Sequence, residues 1–129
     1  MSVNEYIDSV RGALQRLEDY GLVEAIAFNS EVRAGGQAVL NIKVTLIDKS
    51  QLYIREYVTS SASTHGLNRV SYAYQYQSED TSLIFRYDNA KHKPALGFDE
   101  HKHTRDGMII QSQLPTIDAI VDEVIENLT

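Results

Sequence analysis

Three of the chain's four histidines, His92, His101 and His103, crowd into one stretch, with Lys91, Lys93 and Lys102 beside them and Arg86 and Asp88 just ahead. Histidine ordinarily titrates near neutral pH, so it can take or give a proton during a reaction. Arginine and lysine neutralise charge that develops on phosphate oxygens. The set suits metal-free acid–base work on a phosphodiester. In that reading His92, His101 and His103 supply the general acid and base, and Arg86 and Lys102 stabilise the phosphate. Asp88 and Glu56 orient the basic side chains, and Arg55 and Asn89 are further substrate contacts. Asp88, His92, His101 and His103 also have the residue types of a metal site, because a His-x-His pair on an extended segment projects both rings to one side. The spacing matches no strong zinc signature, so no metal or other cofactor is assigned. A solvated loop rich in His and Lys is the competing reading. His65, in a separate polar stretch, is taken as surface.

Two further groups bear on the same chemistry. Tyr72, Tyr74 and Tyr76 alternate along one strand, and Tyr53 and Tyr57 on the preceding strand extend them to an aromatic cluster. Exposed, these rings would stack on unpaired bases. Packed, they would fill the edge of the core, which tyrosine does often in sheets. Glu56 alternates with Leu52, Ile54 and Val58, where an unpaired carboxylate would cost several kcal/mol. A network of Glu56, Arg86 and Asp88 across the sheet would relieve that cost. It could be a structural ion-pair cluster or a catalytic one.

The elements that must hold these residues follow from periodicity. Residues 2–20 carry Val3, Tyr6, Ile7, Val10, Leu14 and Leu17 at helical spacing, with a Ser2-to-Glu5 capping box ahead and Gly21 as the stop. Period-two alternation then marks strands over 23–33, 37–47, 51–59, 69–77 and 82–88, with turns at 34–36, 48–50 and 78–80. Residues 60–68 read as a polar loop and 89–107 as a long connection containing Pro94 and Gly97. Met108–Ser112 is a candidate short strand. Pro115 and Thr116 open a last helix with a stripe of Ile117, Ile120, Val121, Val124, Ile125 and Leu128. The fold class is α+β: an N-terminal helix, an antiparallel meander of about five strands, and a C-terminal helix. Both helices lie on one sheet face, leaving the other for a ligand or partner.

At 129 residues the chain reads as a single domain, 1–129, with 43% hydrophobic content and no cysteine, so disulfides and thiolate zinc sites are excluded. No apolar run is long enough to span a membrane, and no secretory leader is evident, so a cytoplasmic location is expected. The net charge of −6 is unevenly placed: residues 1–31 hold six acids against two bases, residues 106–129 hold five acids and no base, and residues 32–105 hold ten bases against seven acids. If the ends pack together, one face is acidic and the other weakly basic, and local field steers a ligand more than total charge does.

Leu52-x-x-Arg55-Glu56-Tyr57, Tyr72-Ala73-Tyr74-Gln75-Tyr76-Gln77, Phe85-Arg86-Tyr87-Asp88-Asn89-Ala90-x-His92 and His101-Lys102-His103 together resemble the TumE-like family of prokaryotic toxins. The likeness covers roughly residues 37–128. Its most specific part is the block from Arg86 to His92 followed by His101-Lys102-His103. The family often has a His and a Trp where this chain has Gln75 and Tyr76, so the resemblance assigns no histidine on that strand. It implies a toxin neutralised by direct binding of a cognate antitoxin. RNA is the expected target by analogy with other small toxins, which makes a ribonuclease the expected activity. Two other readings stay open: a non-enzymatic protein-binding module that docks a partner on the open face, and a metal-dependent hydrolase using the histidines. A homodimer also stays open.

Overall fold

A computed structural model describes residues 1–61, 66–90 and 98–128. His65 and His92 lie outside the described residues, as do Lys91, Lys93, Pro94 and Gly97. Helix α1 spans Val3–Asp19 and helix α2 spans Ile117–Leu128. Between them run β1 (Val23–Arg33), β2 (Gln37–Leu46), β3 (Gln51–Ser61), β4 (Gly66–Gln77), β5 (Leu83–Asp88), β6 (His101–Thr104) and β7 (Ile109–Gln111). The expected meander is present, with seven strands among the described residues where about five were expected, in spatial order β1 to β7. Each strand pairs antiparallel with its neighbour in the chain.

Local chemistry explains the helix ends. Ser2 Oγ accepts from the Glu5 amide at 3.1 Å and Glu5 Oε1 accepts from the Ser2 amide at 3.2 Å, the reciprocal capping box. Thr116 Oγ1 caps α2 by accepting from the Ala119 amide at 3.0 Å. Gly21 takes φ +70° just beyond α1, a left-handed turn that suits a residue without a side chain.

Both helices cover the same sheet face. The core there is built from Val10, Leu14 and Leu17 of α1, Ile120, Val121 and Val124 of α2, and the inward residues Leu40, Ile42, Val44, Leu52, Ile54, Tyr74, Tyr76 and Phe85. Arg16 bridges the helices through Asp118 at 3.1 Å and Asp122 at 2.6 Å. The opposite sheet face is uncovered among the described residues. Acidic α1 and α2 therefore lie on one side, and Lys43, Arg55 and Arg86 project from the other. Among the described residues no helix is long and apolar enough to cross a membrane.

Two departures from the expected elements matter for the site. The stretch 89–107 is not all connection: His101–Thr104 is a strand. Four residues of His-Lys-His-Thr show no apolar alternation, so pairing with β5 and β7, not hydrophobic pattern, makes them a strand. The described residues of the expected polar loop at 60–68 are strand, because β3 runs to Ser61 and β4 begins at Gly66.

Candidate functional site

Register builds the open face in rows, since paired residues of neighbouring strands point the same way. Asn41, Arg55, Ala73, Asp88 and His101 form one row of successive partners. Lys43, Tyr53, Gln75, Arg86 and His103 form the next. Strands about 4.8 Å apart put His101 beside Asp88 and Arg55 two strands away, about 10 Å.

Asp88 is the hub. Its side chain is only 4% exposed, yet it meets three basic groups: His101 Nε2 lies 2.5 Å from Oδ1, Arg86 Nε 2.7 Å from Oδ2, and His103 Nε2 3.4 Å from Oδ2. The Ala90 amide also donates to Oδ1 at 3.1 Å. Burial pushes the Asp88 carboxyl up, but the Arg86 hydrogen bond, the Ala90 amide and the charges of His101 and Arg86 outweigh it and hold the group below its ordinary range. Asp88 is therefore an anion that fixes its neighbours. Arg86 is held twice, because its Nη1 also donates to Gln75 Oε1 at 2.7 Å. His101 lies between two oxygens, with Nδ1 3.0 Å from the Asp99 carbonyl and Nε2 facing Asp88. His101 is buried, whereas His103 keeps part of its ring at the surface. The two rings meet edge to face with centroids 5.2 Å apart.

Beside this hub lies a shallow cleft of about 360 Å³. Tyr57, Arg55 and Asn41 line one side, Arg86, Asp88 and Asn89 the other, and Ala73 lies between them. Ala73 leaves the depression because its side chain is a single methyl between the larger side chains of Arg55 and Asp88. Arg55 is exposed and has no carboxylate partner among the described residues. Lys43 Nζ stands 5.7 Å from the centre of the Tyr53 ring. Asp88, His101 and His103 also present ligand atoms within 4.8 Å of one another, the donor set of a divalent transition metal.

The geometry thus gathers Arg86, Asp88, His101 and His103, with Arg55 across the cleft, and separates Lys102, Glu56, Tyr72, Tyr74 and Tyr76 from them. Lys102 pairs in register with Tyr87 and points to the helix side, where its Nζ meets Glu123 at 2.8 Å; alternation alone turns it away from its two histidine neighbours. Glu56 does not join Arg86 and Asp88. It faces the helices, with its side chain fully buried, accepting from Tyr6 Oη at 2.7 Å and from Tyr74 Oη, with Arg69 Nη1 4.0 Å away. Burial raises the Glu56 carboxyl above its ordinary range, against the opposing hydrogen bonds from Tyr74 and Tyr6 and the charge of Arg69.

The expected stacking surface on Tyr72, Tyr74 and Tyr76 is not exposed. All three are buried under the helices, as the packing alternative had it, on the face opposite Tyr53 and Tyr57, so the five rings form no single cluster. Asn89 lines the cleft but spends its amide on β4, accepting from the Tyr72 amide at 3.1 Å and donating to the Val70 carbonyl at 3.0 Å. It extends the ladder one residue past the end of β5. His92 lies outside the described residues.

Arg69 was not legible in the sequence. Simple alternation places it with Ala73 and Gln75 on the open face. A bulge intervenes, for Tyr57 pairs with Ser71 but Val58 with Arg69, so Val70 is an extra residue. The bulge turns Arg69 inward, where its Nη1 donates to Tyr74 Oη at 3.0 Å and the Pro115 carbonyl at 2.5 Å. Tyr57, by contrast, was readable from its period-two spacing with Arg55 and Tyr53, and Gln75 from its spacing with Ala73.

The family model described as Toxin TumE matches residues 13–129. Neither a curated protein nor a solved structure matches the chain.

Proposed function

Because the chain belongs to the TumE toxin family, we propose that it is the toxin of a prokaryotic toxin–antitoxin pair and acts on RNA at the open sheet face. The observation that carries this reading is the Asp88 carboxylate, which joins His101, His103 and Arg86 beside a cleft with a second arginine, Arg55. His103, partly open to solvent, is the proton carrier. Asp88 and buried His101 are positioning residues that fix the His103 ring and the Arg86 guanidinium. Arg86 and Arg55 neutralise the phosphate. In the reaction this set suits, a ribose 2′-hydroxyl attacks the adjacent phosphorus and gives its proton to His103. The bond from phosphorus to the 5′-oxygen breaks, and that oxygen takes a proton from water. The cognate antitoxin neutralises the toxin by binding it directly.

Inducing the chain without its antitoxin should arrest growth and degrade cellular RNA. His103→Ala and Asp88→Ala should relieve both, whereas full toxicity in both variants would discard this site.

A second reading, a metal-dependent hydrolase, is favoured by one observation, the ligand atoms of Asp88, His101 and His103 within 4.8 Å of one another. Against it stands Arg86 Nε, 2.7 Å from the same carboxylate, a fixed positive charge where a cation would bind. Stoichiometric zinc, manganese or iron in untagged protein, lost in His101→Ala, would decide for this reading.

A further inference from the structure

We propose that the cleft between Tyr57 and Asp88 is a subsite for one unpaired nucleotide of single-stranded RNA, with the base against the Tyr57 ring and its phosphate between Arg55 and Arg86. The proposal rests on the reading of RNA as the target and adds which groups hold the nucleotide next to the reacting phosphate.

Four observations converge on it. The first is size: about 360 Å³ is at the lower end of small-molecule sites, of which about 300–1,000 Å³ is typical. The second is shape. Ala73 keeps the floor low between Arg55 and Asp88, its neighbours in the same row, and the bulge at Val70 disturbs the sheet at the end where Tyr57 stands. The third is a ring held in place. The Tyr57 hydroxyl donates to Gln37 Oε1 at 3.1 Å, which tethers the ring before any ligand arrives. A fixed aromatic wall loses little freedom on binding. The fourth is charge. Arg55 and Arg86 flank the floor, and the acidic helices lie on the far side of the sheet, so this face attracts a polyanion that the other repels.

Aromatic wall, flanking guanidinium groups and small polar neighbours, here Asn41 and Ser71, make up the recognition chemistry of an unpaired nucleotide. A paired base presents no free face to a ring, so a duplex would gain only the charge contacts. The sequence offered tyrosines of both β3 and β4 for stacking. Those of β4 are buried on the helix side, which leaves the role to Tyr57 of β3 on the open face.

The test is binding of a 5′-fluorescein single-stranded RNA octamer, read by anisotropy, with far-UV circular dichroism verifying the fold of each variant. Tyr57→Leu removes the ring and should weaken binding about 5- to 150-fold, the range that base stacking on an aromatic side chain gives. Ala73→Leu fills the floor without touching a charge and should weaken binding by at least about tenfold, since steric exclusion removes stacking and phosphate contacts together. Tyr57→Phe keeps the ring but loses its tether to Gln37, so its affinity should fall between those of the parent and of Tyr57→Leu. The unaltered chain, irradiated with an octamer carrying 4-thiouridine, should crosslink at the peptide containing Tyr57, a readout independent of how any variant folds. Wild-type affinity in both Tyr57→Leu and Ala73→Leu, or crosslinks confined to the helices, overturns the subsite while leaving RNA as the target. A parent chain that neither binds nor cleaves single-stranded RNA overturns both.

Discussion

Replacing Arg69 by Met tests the buried network behind the sheet. Arg69 is 14% exposed at its side chain and faces Glu56, fully buried, at 4.0 Å. Its Nη1 also donates to Tyr74 Oη and to the Pro115 carbonyl, just ahead of α2. Methionine fills similar space but brings no charge and no donor. The variant leaves a buried carboxylate with only two phenol donors. Removing one partner of a buried pair costs about 3–5 kcal/mol. That would be a large part of the about 5–15 kcal/mol that a domain has in total. For a chain of this length it corresponds to a fall in Tm of about 10–20 °C. The assay is urea unfolding followed by far-UV circular dichroism, with tyrosine fluorescence as a second probe, since the chain has no tryptophan.

The pH dependence fixes the cause. Burial holds the Glu56 carboxyl above its ordinary value of 4.5 in the folded state, so folded protein binds the proton more tightly than unfolded. The stability linked to this group is fully present below the unfolded value and is lost as pH rises through the folded one. Losing Arg69 removes a charge that lowers the Glu56 pKa, so the loss becomes larger above it. The deficit of Arg69→Met should therefore be greatest at neutral pH and shrink as pH falls through the folded value. Adding Glu56→Gln, which keeps an acceptor for both phenols and discards the charge, should recover most of it. A deficit below about 1 kcal/mol at pH 7, the range of an exposed pair, would refute the reasoning. So would an equal deficit across the acid range, or no recovery in the double variant.

Three further outcomes are expected. Lys102→Ala should retain toxicity, in contrast to His103→Ala, and lose only about 0.5–1.5 kcal/mol of stability in urea unfolding, because its partner is Glu123 on the helix side. Asn89→Ala should cost about 1–3 kcal/mol, since it strands the Tyr72 amide and the Val70 carbonyl, and amide exchange should speed up at Tyr72. Leu17→Ala, on the fully buried face of α1, should cost about 2–5 kcal/mol by calorimetry, while the protein that remains folded keeps its toxicity.

Alternation in β2 and β3 was strong enough to read in advance which residues face the helices, and that is why Arg55 and Glu56 could be put on opposite faces. The same rule applied to β4 puts Arg69 outward, because a bulge changes parity without leaving a mark in residue type. The polar run His101–Thr104 hides a strand for a different reason: its stability comes from backbone pairing on both sides. Once the strand exists, pairing explains why His101 and His103 reach Asp88 and Lys102 cannot. Asn89 reads as a surface polar residue in sequence. Its role as a substitute for backbone depends on where β5 happens to end. The Asp88 cluster was legible as a set of residue types, whereas its division into a solvent-open His103 and an enclosed His101 depends on packing alone.

The strictly sequential strand order has a kinetic consequence. Every sheet contact closes a short stretch of chain, whereas the contact of Arg16 with Asp118 spans 102 residues. Bringing chain ends together costs entropy that grows with the logarithm of the intervening length, unless the segment between is already folded. The sheet can thus zip up locally and deliver the two helices to each other, as the hypothesis of a sheet-first nucleus requires. In stopped-flow experiments Val121→Ala in α2 should then mainly speed unfolding, while Ile54→Val in β3 should slow folding. The reverse pattern would place the helix pair, and not the sheet, at the rate-limiting step.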